Sequence, residues 1–510
     1  MPRVTLENVS FGFDAPLFEA LSASFDAGWT GLVGANGVGK TTLLRLIASE
    51  LRPSAGRVWR TPGSTLAWCR QQSQDQREEL EAFALDASKT AARWRGLLGI
   101  DSAQLEHFAR LSSGERKRWQ LGLALSREPE VLLLDEPTNH LDREARERLA
   151  QAMRRFDGVG LLVSHDRDLL ESVTVRTARL TRAGIELYPG AYSAAQAEWA
   201  QRRRASAGLK AELRQSAERL VRRADERRRR AASAERDRSA SRRMKDENDH
   251  DARSMLAKNQ AESAGRRLAR EAAAIDSRLE RVRGELSAIH LEKELGCELF
   301  ADYAPWSKPL VLRVALDALE VPGKRLLGRT VLDVARSDKL ALIAPNGSGK
   351  TSLVRELERQ NPAVFARSVV LPQSLDAAAL RDIAERLSAL GRAERGRVLG
   401  FVAALGSDPD AVLRSPAWSP GQARKVALAL GLAAHAPALI LDEPTNHFDL
   451  PSIERLERLL AAFPGCVLLV THDAALAERV ANRFFTIEAG ELREQHRPAR
   501  AATGQARVAG

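Results

Sequence analysis

Cysteine is nearly missing from this chain. Three stand in 510 residues, Cys69, Cys297 and Cys466, and each is isolated. That spacing excludes a zinc or iron–sulfur set and a disulfide framework, and it fits a reducing cytoplasm. Aromatic residues are scarce too, at 5%. No uninterrupted apolar run approaches ~20 residues, so no membrane span is encoded. A role in transport would need its channel from another chain. The opening Met-Pro-Arg-Val-Thr-Leu-Glu lacks the apolar core of a signal peptide.

What is present is ample core material and a localised charge. Apolar residues make up 44%, and the length implies two or three domains. Lys plus Arg (78) exceed Asp plus Glu (67), for a net +11. Residues 201–290 alone hold 25 basic and 15 acidic residues, while the rest hold 53 and 52. A basic stripe of this kind suits an anionic partner, with nucleic acid the first candidate. It equally suits a solvated, Arg-rich helical spacer.

The chain also repeats itself. Val131-Leu-Leu-Leu-Asp-Glu-Pro-Thr-Asn-His-Leu-Asp142 is nearly copied as Leu439-Ile-Leu-Asp-Glu-Pro-Thr-Asn-His-Phe-Asp449. Lys350 follows Lys40 by 310 residues; Asp442 follows Asp135, and His472 follows His165, by 307. This is a duplicated domain, not a short-period solenoid. The copies are expected at 1–198 and 307–492, with a frayed tail at 493–510. In each, short apolar runs such as Val131–Leu134 and Gly160–Ser164 alternate with helical stretches such as Thr41–Ala48. The fold class is therefore α/β, a mostly parallel sheet flanked by helices.

The connecting segment, 199–306, reads differently. Residues 209–264 contain no Gly and no Pro and are rich in helix formers. Ile275, Leu279, Val282, Leu286 and Ile289 follow coiled-coil spacing. Leu209, Leu213 and Leu220 mark a less regular first half. The expectation is a long antiparallel hairpin, with helices near 195–241 and 253–292 and a polar turn at Lys245–Asp251. Helices of ~40 residues span roughly 60 Å.

Gly34-Ala-Asn-Gly-Val-Gly-Lys-Thr41 fits the phosphate-loop pattern between a strand and a helix. Glycines let backbone N–H groups curl around phosphates, and the helix N-terminus adds positive potential. Gly34, Asn36, Gly37, Gly39, Lys40, Thr41 and Thr42 are the nucleotide-binding candidates there. Lys40 would reach the β/γ-phosphates and Thr41 would hold Mg²⁺. The second loop reads Ala344-Pro-Asn-Gly-Ser-Gly-Lys-Thr351, with Asn346, Gly347, Ser348, Gly349, Lys350, Thr351 and Ser352 as candidates. Ala344 replaces a glycine and is expected to strain the loop if φ > 0 is needed there.

Asp135 and Asp442 end apolar strands and are the Mg²⁺ carboxylates. Glu136 and Glu443 follow and would orient or deprotonate the attacking water. His165 and His472 each lie 30 residues beyond their Asp, each expected after a strand and within reach of the γ-phosphate. A lone His is usually structural, but the spacing is kept in both copies. Gln71 and Gln373 are candidate metal and water sensors, with Gln72 a rival for the first role.

Leu111-Ser-Ser-Gly-Glu115 and Trp418-Ser-Pro-Gly-Gln422 precede their Asp by 23 residues, counted from Ser112 and Ser419. Here the chain resembles the ATP-binding cassette superfamily, whose signature loop reads Leu-Ser-Gly-Gly-Gln. The resemblance implies two cassettes paired head to tail within one monomer, each ATP lying between one phosphate loop and the other copy's signature loop. Ser112 and Gly114 would serve the second site, Ser419 and Gly421 the first. Pro420 removes one backbone N–H and stiffens its loop. The resemblance also implies an aromatic on adenine, Phe13 or Phe11 in the first copy; Leu319–Lys324 offers none in the second. Pro420 in one site and Ala344 in the other suggest unequal turnover.

The repeated Asp-Glu-Pro-Thr-Asn-His-[Leu/Phe]-Asp is similar to the ABC-F family, in which tandem cassettes without membrane domains are joined by a helical linker. Leu187-Tyr-Pro-Gly-Ala-Tyr-Ser193 resembles that family's exit from its first cassette. The resemblance covers essentially the whole chain. It implies a cytoplasmic ATP hydrolase using ATP and Mg²⁺. Its partners would be the ribosome, ribosomal RNA and tRNA, met through the linker, in translation or antibiotic protection. Arg202–Arg204, Arg222, Arg223 and Arg227–Arg230 are the candidate phosphate contacts. Two other readings stay open: the ATPase subunit of a membrane transporter, and a DNA-associated cassette ATPase.

Overall fold

A computed structural model describes residues 1–13, 15–70, 77–103, 105, 111, 113–138, 141, 143–236, 253–288, 300, 302–303, 306–321, 324–344, 348–415 and 417–495. It divides into two units. One contains Met1–Ala195 and Leu295–Gly510; the other is Gln196–Glu294.

Each copy in the first unit is built on a six-stranded sheet. In the first, the spatial order is Leu66–Cys69, Val131–Asp135, Val159–Val163, Gly28–Val33, Arg176–Thr181 and Gly184–Pro189. In the second it is Val369–Leu371, Ala438–Asp442, Cys466–Val470, Lys339–Leu342, Arg483–Glu488 and Glu491–Gln495. All neighbours run parallel except the last pair in each sheet. Strands covered on both faces need continuous apolar runs, and Val131–Asp135 and Cys466–Val470 are buried at every position. A three-stranded antiparallel sheet (Pro16–Asp26, Arg3–Gly12, Ala55–Arg60) accompanies the first copy. Its residues Val4, Leu6, Phe18 and Phe25 join one core with Leu43, Leu133 and Leu161.

Parallel pairing fixes the site. The strand leading to the first phosphate loop, Gly28–Val33, lies beside Val159–Val163, which in turn lies beside Val131–Asp135. Their carboxyl ends therefore bring Gly34, His165 and the Asp135–Glu136 pair to one edge, where open α/β sheets bind ligands.

The second unit holds most of helix Tyr192–Arg236 and all of helix Arg253–Ala288. Leu220, Leu279 and Val282 are buried together, with Leu213, Ala217, Ile275 and Leu286 packed against them. Arg228 bonds Asp276 at 2.8 and 2.9 Å, and Arg227 lies 3.3 Å from Glu271. Later residues of one helix thus meet earlier residues of the other, so the pair is antiparallel. Leu209 does not join the seam; it is 51% exposed. The first helix starts at Tyr192, earlier than the sequence pattern suggested. The expected turn, Ile289 and the tail beyond 495 lie outside the described residues.

The segment after the hairpin joins the second cassette before residue 307. Phe300 packs on Phe401 and Phe463 at 5.6 and 5.8 Å, and Tyr303 on Phe463 at 5.4 Å. The Tyr303 hydroxyl donates to Ala436 O at 2.9 Å, and Trp306 packs on the second core. Aromatic anchoring, which helical composition does not reveal, sets this boundary. Truncating Leu133, fully buried in the central sheet, to Ala should destabilise the protein by about 2–5 kcal/mol in urea unfolding.

Candidate functional site

The first phosphate loop leaves Val33 and enters helix Lys40–Ile47. Gly37 (φ 76°) and Gly39 (φ 101°) have left-handed backbones. A Cβ on Gly39 would also sit 2.5 Å from the Phe18 ring, and one on Gly34 would sit 2.4 Å from Leu180 O. Gly39 caps the helix without a side chain, so the first-turn N–H groups have no side-chain cap. Lys40 is buried; its Nζ donates to Gly34 O at 2.8 Å and Ala35 O at 3.1 Å. Thr41 Oγ1 donates to Asp135 Oδ2 at 2.8 Å, and Thr42 is the next helical residue.

Glu136 leaves the strand end with φ 48° and donates its N–H to Val163 O at 2.9 Å. Glu443 repeats this with φ 46° and a 2.8 Å bond to Val470 O. A left-handed glutamate costs of order 1–3 kcal/mol, and both copies carry it at the reactive carboxylate. His165 Nε2 lies 3.2 Å from Glu136 Oε1. Burial pushes the Glu136 carboxyl up to about 8, against the pull of Lys40. Burial, reinforced by Lys40, pushes His165 down to about 3, so its imidazole is neutral. Burial also raises Asp135 and lowers Lys40.

The second copy matches with looser spacing. Thr351 Oγ1 is 3.4 Å from Asp442 Oδ2, and His472 Nε2 is 3.5 Å from Glu443 Oε1 and 3.0 Å from Lys350 Nζ. Burial lifts Glu443 to about 7, opposed by Lys350. Gly349, at φ 104°, caps helix Lys350–Gln360. Ser348 Oγ is buried without a hydrogen-bond partner among the described residues. Lys350, Thr351, Ser352, Gln373, Asp442, Glu443 and His472 line a cleft of about 580 Å³. The strain expected at Ala344 is absent. Its backbone is not left-handed, its methyl joins the second core, and its carbonyl accepts from Lys350 Nζ at 2.5 Å.

The two copies meet head to tail at these loops. Asn36 N donates to Asp449 Oδ2 at 2.6 Å, and Asn36 Nδ2 to His447 O at 3.1 Å. A Cβ on Gly421 would sit 2.6 Å from that same His447 oxygen. The second signature loop thus reaches the first phosphate loop through one residue. Conversely, Leu141 and Arg146 of the first copy line the second copy's cleft. Away from the loops, Arg167 pairs with Glu457, buried, and Tyr192 donates to Glu454 at 2.6 Å.

Other expectations resolve individually. Phe13 is 67% exposed and meets Phe11 edge-on at 5.1 Å, so no preformed adenine shelf surrounds it. Gly114 is buried early in helix Ser113–Ser126. Ser419 caps helix Pro420–Ala433 in a capping box with Gln422. Pro420 occupies the first helical position, where its missing N–H costs the helix nothing. Gln71, Gln72, Ser112, Asn346 and Gly347 lie outside the described residues.

Two buried cations went unread in the sequence. Arg424 is 1% exposed and donates to four carbonyls: Pro372, Gln373, Asp442 and Glu443, at 2.7–3.1 Å. It ties the Gln373 loop to the carboxylate pair. Burial lowers its pKa to about 10. Lys117 is also buried and donates to Arg70 O, immediately before Gln71. Both stand five residues after their signature serine, 307 apart. That repeated basic position was the available signal.

Two phosphate loops, two Asp–Glu pairs and paired α/β cassettes define a tandem ATPase of the ATP-binding cassette class. Residues 18–139 match the family model described as ABC transporter. The chain is 30% identical over 523 residues to the ribosome protection protein VmlR of Bacillus subtilis (strain 168), covering 96% of this chain and 88% of that one. It is 28% identical over 525 residues to the ATP-binding protein Uup of Caulobacter vibrioides, covering 96% and 77%. ABC transporter F family member 2 of Arabidopsis thaliana is 25% identical over 571 residues, covering 96% and 77%. The solved RNase-L Inhibitor shares the fold, with TM-score 0.57, 17% identity, and coverage of 96% and 89%. This chain belongs to the ABC-F family and is an ATP hydrolase.

Replacing Arg424 with Met would remove four hydrogen bonds to carbonyls, that to Glu443 O fully buried. Urea unfolding should show a loss of about 3–5 kcal/mol, and the remaining folded protein should hydrolyse ATP more slowly.

Proposed function

We propose that this ATPase is a ribosome-binding factor of the cytoplasm, acting in translation or antibiotic protection, whose ATP hydrolysis times its release. The carrying observation is the similarity to a ribosome protection protein over 96% of this chain, cassettes and linker together. The basic linker supports it, since RNA presents a dense phosphate surface read largely by shape and charge. Arg202, Arg227, Arg228 and Arg230 spend charge on Glu198, Glu271, Asp276 and Glu226. Arg222, Arg223 and Arg229 are exposed and form no ion pair among the described residues, which makes them the stronger candidates for RNA or tRNA phosphate. Among the described residues no helix is long and apolar enough to cross a membrane, and nothing favours the transporter or DNA readings.

At each site, Lys40 or Lys350 would bind the β/γ-phosphates, helped by the loop N–H groups. Thr41 with Asp135, and Thr351 with Asp442, are hard oxygen donors that fit Mg²⁺, with Gln71 and Gln373 as further ligands. When bound, Mg²⁺ supplies neutralisation of phosphate charge. Glu136 and Glu443, made more basic by burial, would take the proton of the attacking water. His165 and His472, placed beside them, would orient the γ-phosphate end. Ser419 with Gly421 would close the first site, and Ser112 with Gly114 the second.

The double variant Glu136→Gln/Glu443→Gln should lose at least ~100-fold in ATPase rate. It should sediment with ribosomes only when ATP is present, less so as salt rises. Retained ATP binding with no sedimentation at any salt would refute ribosome binding.

A further inference from the structure

We infer that the second nucleotide site borrows a cation from the first cassette: Arg146 is a phosphate-facing group of the Lys350 cleft, supplied across the cassette interface, with no counterpart at the Lys40 site. This deepens the reading of ATP hydrolysis at that cleft and rests on it.

Arg146 lies on helix Arg143–Met153, just beyond the first copy's Asp-Glu-Pro-Thr-Asn-His-Leu-Asp stretch. Its side chain lines the same cleft as Lys350, Glu443 and His472. The 307-residue offset makes Ile453 its counterpart. Ile453 is 2% exposed, an ordinary apolar contact on helix Leu450–Ala462. The duplicated helices therefore differ here in chemistry, and at this position the second cleft gains a guanidinium where the other helix carries Ile453.

Local structure occupies this side chain only in part. Its Nε forms an ion pair with Asp166 Oδ2 at 3.6 Å, too long for a hydrogen bond, and makes no hydrogen bond among the described residues, while the side chain stays 33% exposed. Asp166 Oδ1 caps the helix Arg167–Val173, and its Oδ2 takes the ion pair. A guanidinium stays charged at any ordinary pH, and its five N–H donors exceed what one distant carboxylate oxygen can accept. Phosphate oxygens match the guanidinium fork. Glu443 and Lys350 line the same cleft as this cation. A charge near both the reactive carboxylate and the phosphate-loop lysine lies where the γ-phosphate end of ATP would be, so ATP should feel it more than ADP. Because it comes from the opposite cassette, it also makes the second site depend on cassette closure.

The test separates the two sites. In a Glu136→Gln background only the second site turns over; in a Glu443→Gln background only the first does. Arg146→Ala should lower kcat about tenfold or more in the first background, Arg146→Lys should recover part of the loss, and kcat in the second background should stay within about twofold. In the double Glu→Gln variant, Arg146→Ala should weaken ATP by about tenfold at one of two calorimetric sites and leave ADP unchanged. This binding arm decides the matter even where turnover is too slow to measure. Equal losses in both backgrounds, or unchanged ATP affinity at both sites, would overturn the assignment and leave Arg146 a packing residue. Failure of ribosome sedimentation would count against the ribosome reading alone.

Discussion

In a parallel sheet every strand delivers its carboxyl end to the same edge, and both catalytic edges of this protein depend on that constraint. Gly28–Val33 releases the phosphate loop there, Val131–Asp135 releases Asp135 and Glu136, and Val159–Val163 releases His165. The apolar runs that bury these strands are what hold polar groups together at their ends. A slip of one residue would turn Asp135 away from Thr41, because strand side chains alternate faces. The 2.8 Å bond between them reports that the register is kept.

Bringing those groups together has physical costs, and the costs are where the chemistry comes from. Burial raises both glutamates toward neutrality and strips the neighbouring His165 of its charge. Each glutamate also sits in a left-handed conformation that an ordinary side chain avoids. Strain and desolvation are tolerated because buried cations flank the pairs. Lys40 and Lys350 stand in front, and Lys117 and Arg424 stand behind, anchored to backbone carbonyls. The second pair also holds the loops leading to Gln71 and Gln373.

The duplicated cassettes are similar in frame and different in detail. Asn36 reaches across to Asp449 and His447, while Arg146 and Leu141 enter the opposite cleft. Ala344 packs where Gly34 has no room for a Cβ, and Arg146 stands where Ile453 is buried. These differences fall on the sites themselves, so the two ATP molecules meet unlike surroundings. Ala344 sits unstrained in its loop, and Pro420 opens its helix at the first position.

Local pattern determined a good deal. Glycine spacing, apolar runs ending in Asp-Glu, and a constant offset made the phosphate loops, the carboxylates and the duplication legible, because each is a short-range rule acting on adjacent residues. The hairpin's return seam, Ile275 to Leu286, was legible for the same reason. Tertiary structure decided the rest. Leu209 is apolar yet exposed, and Phe300, Tyr303 and Trp306 belong to a cassette although they follow a linker. Lys117, Arg424 and Arg146 look like surface cations in sequence, since nothing local says which way a long charged side chain turns. Whether such a residue meets water, a carbonyl or the opposite cassette depends on partners tens to hundreds of residues away, and only the folded chain brings those partners within reach.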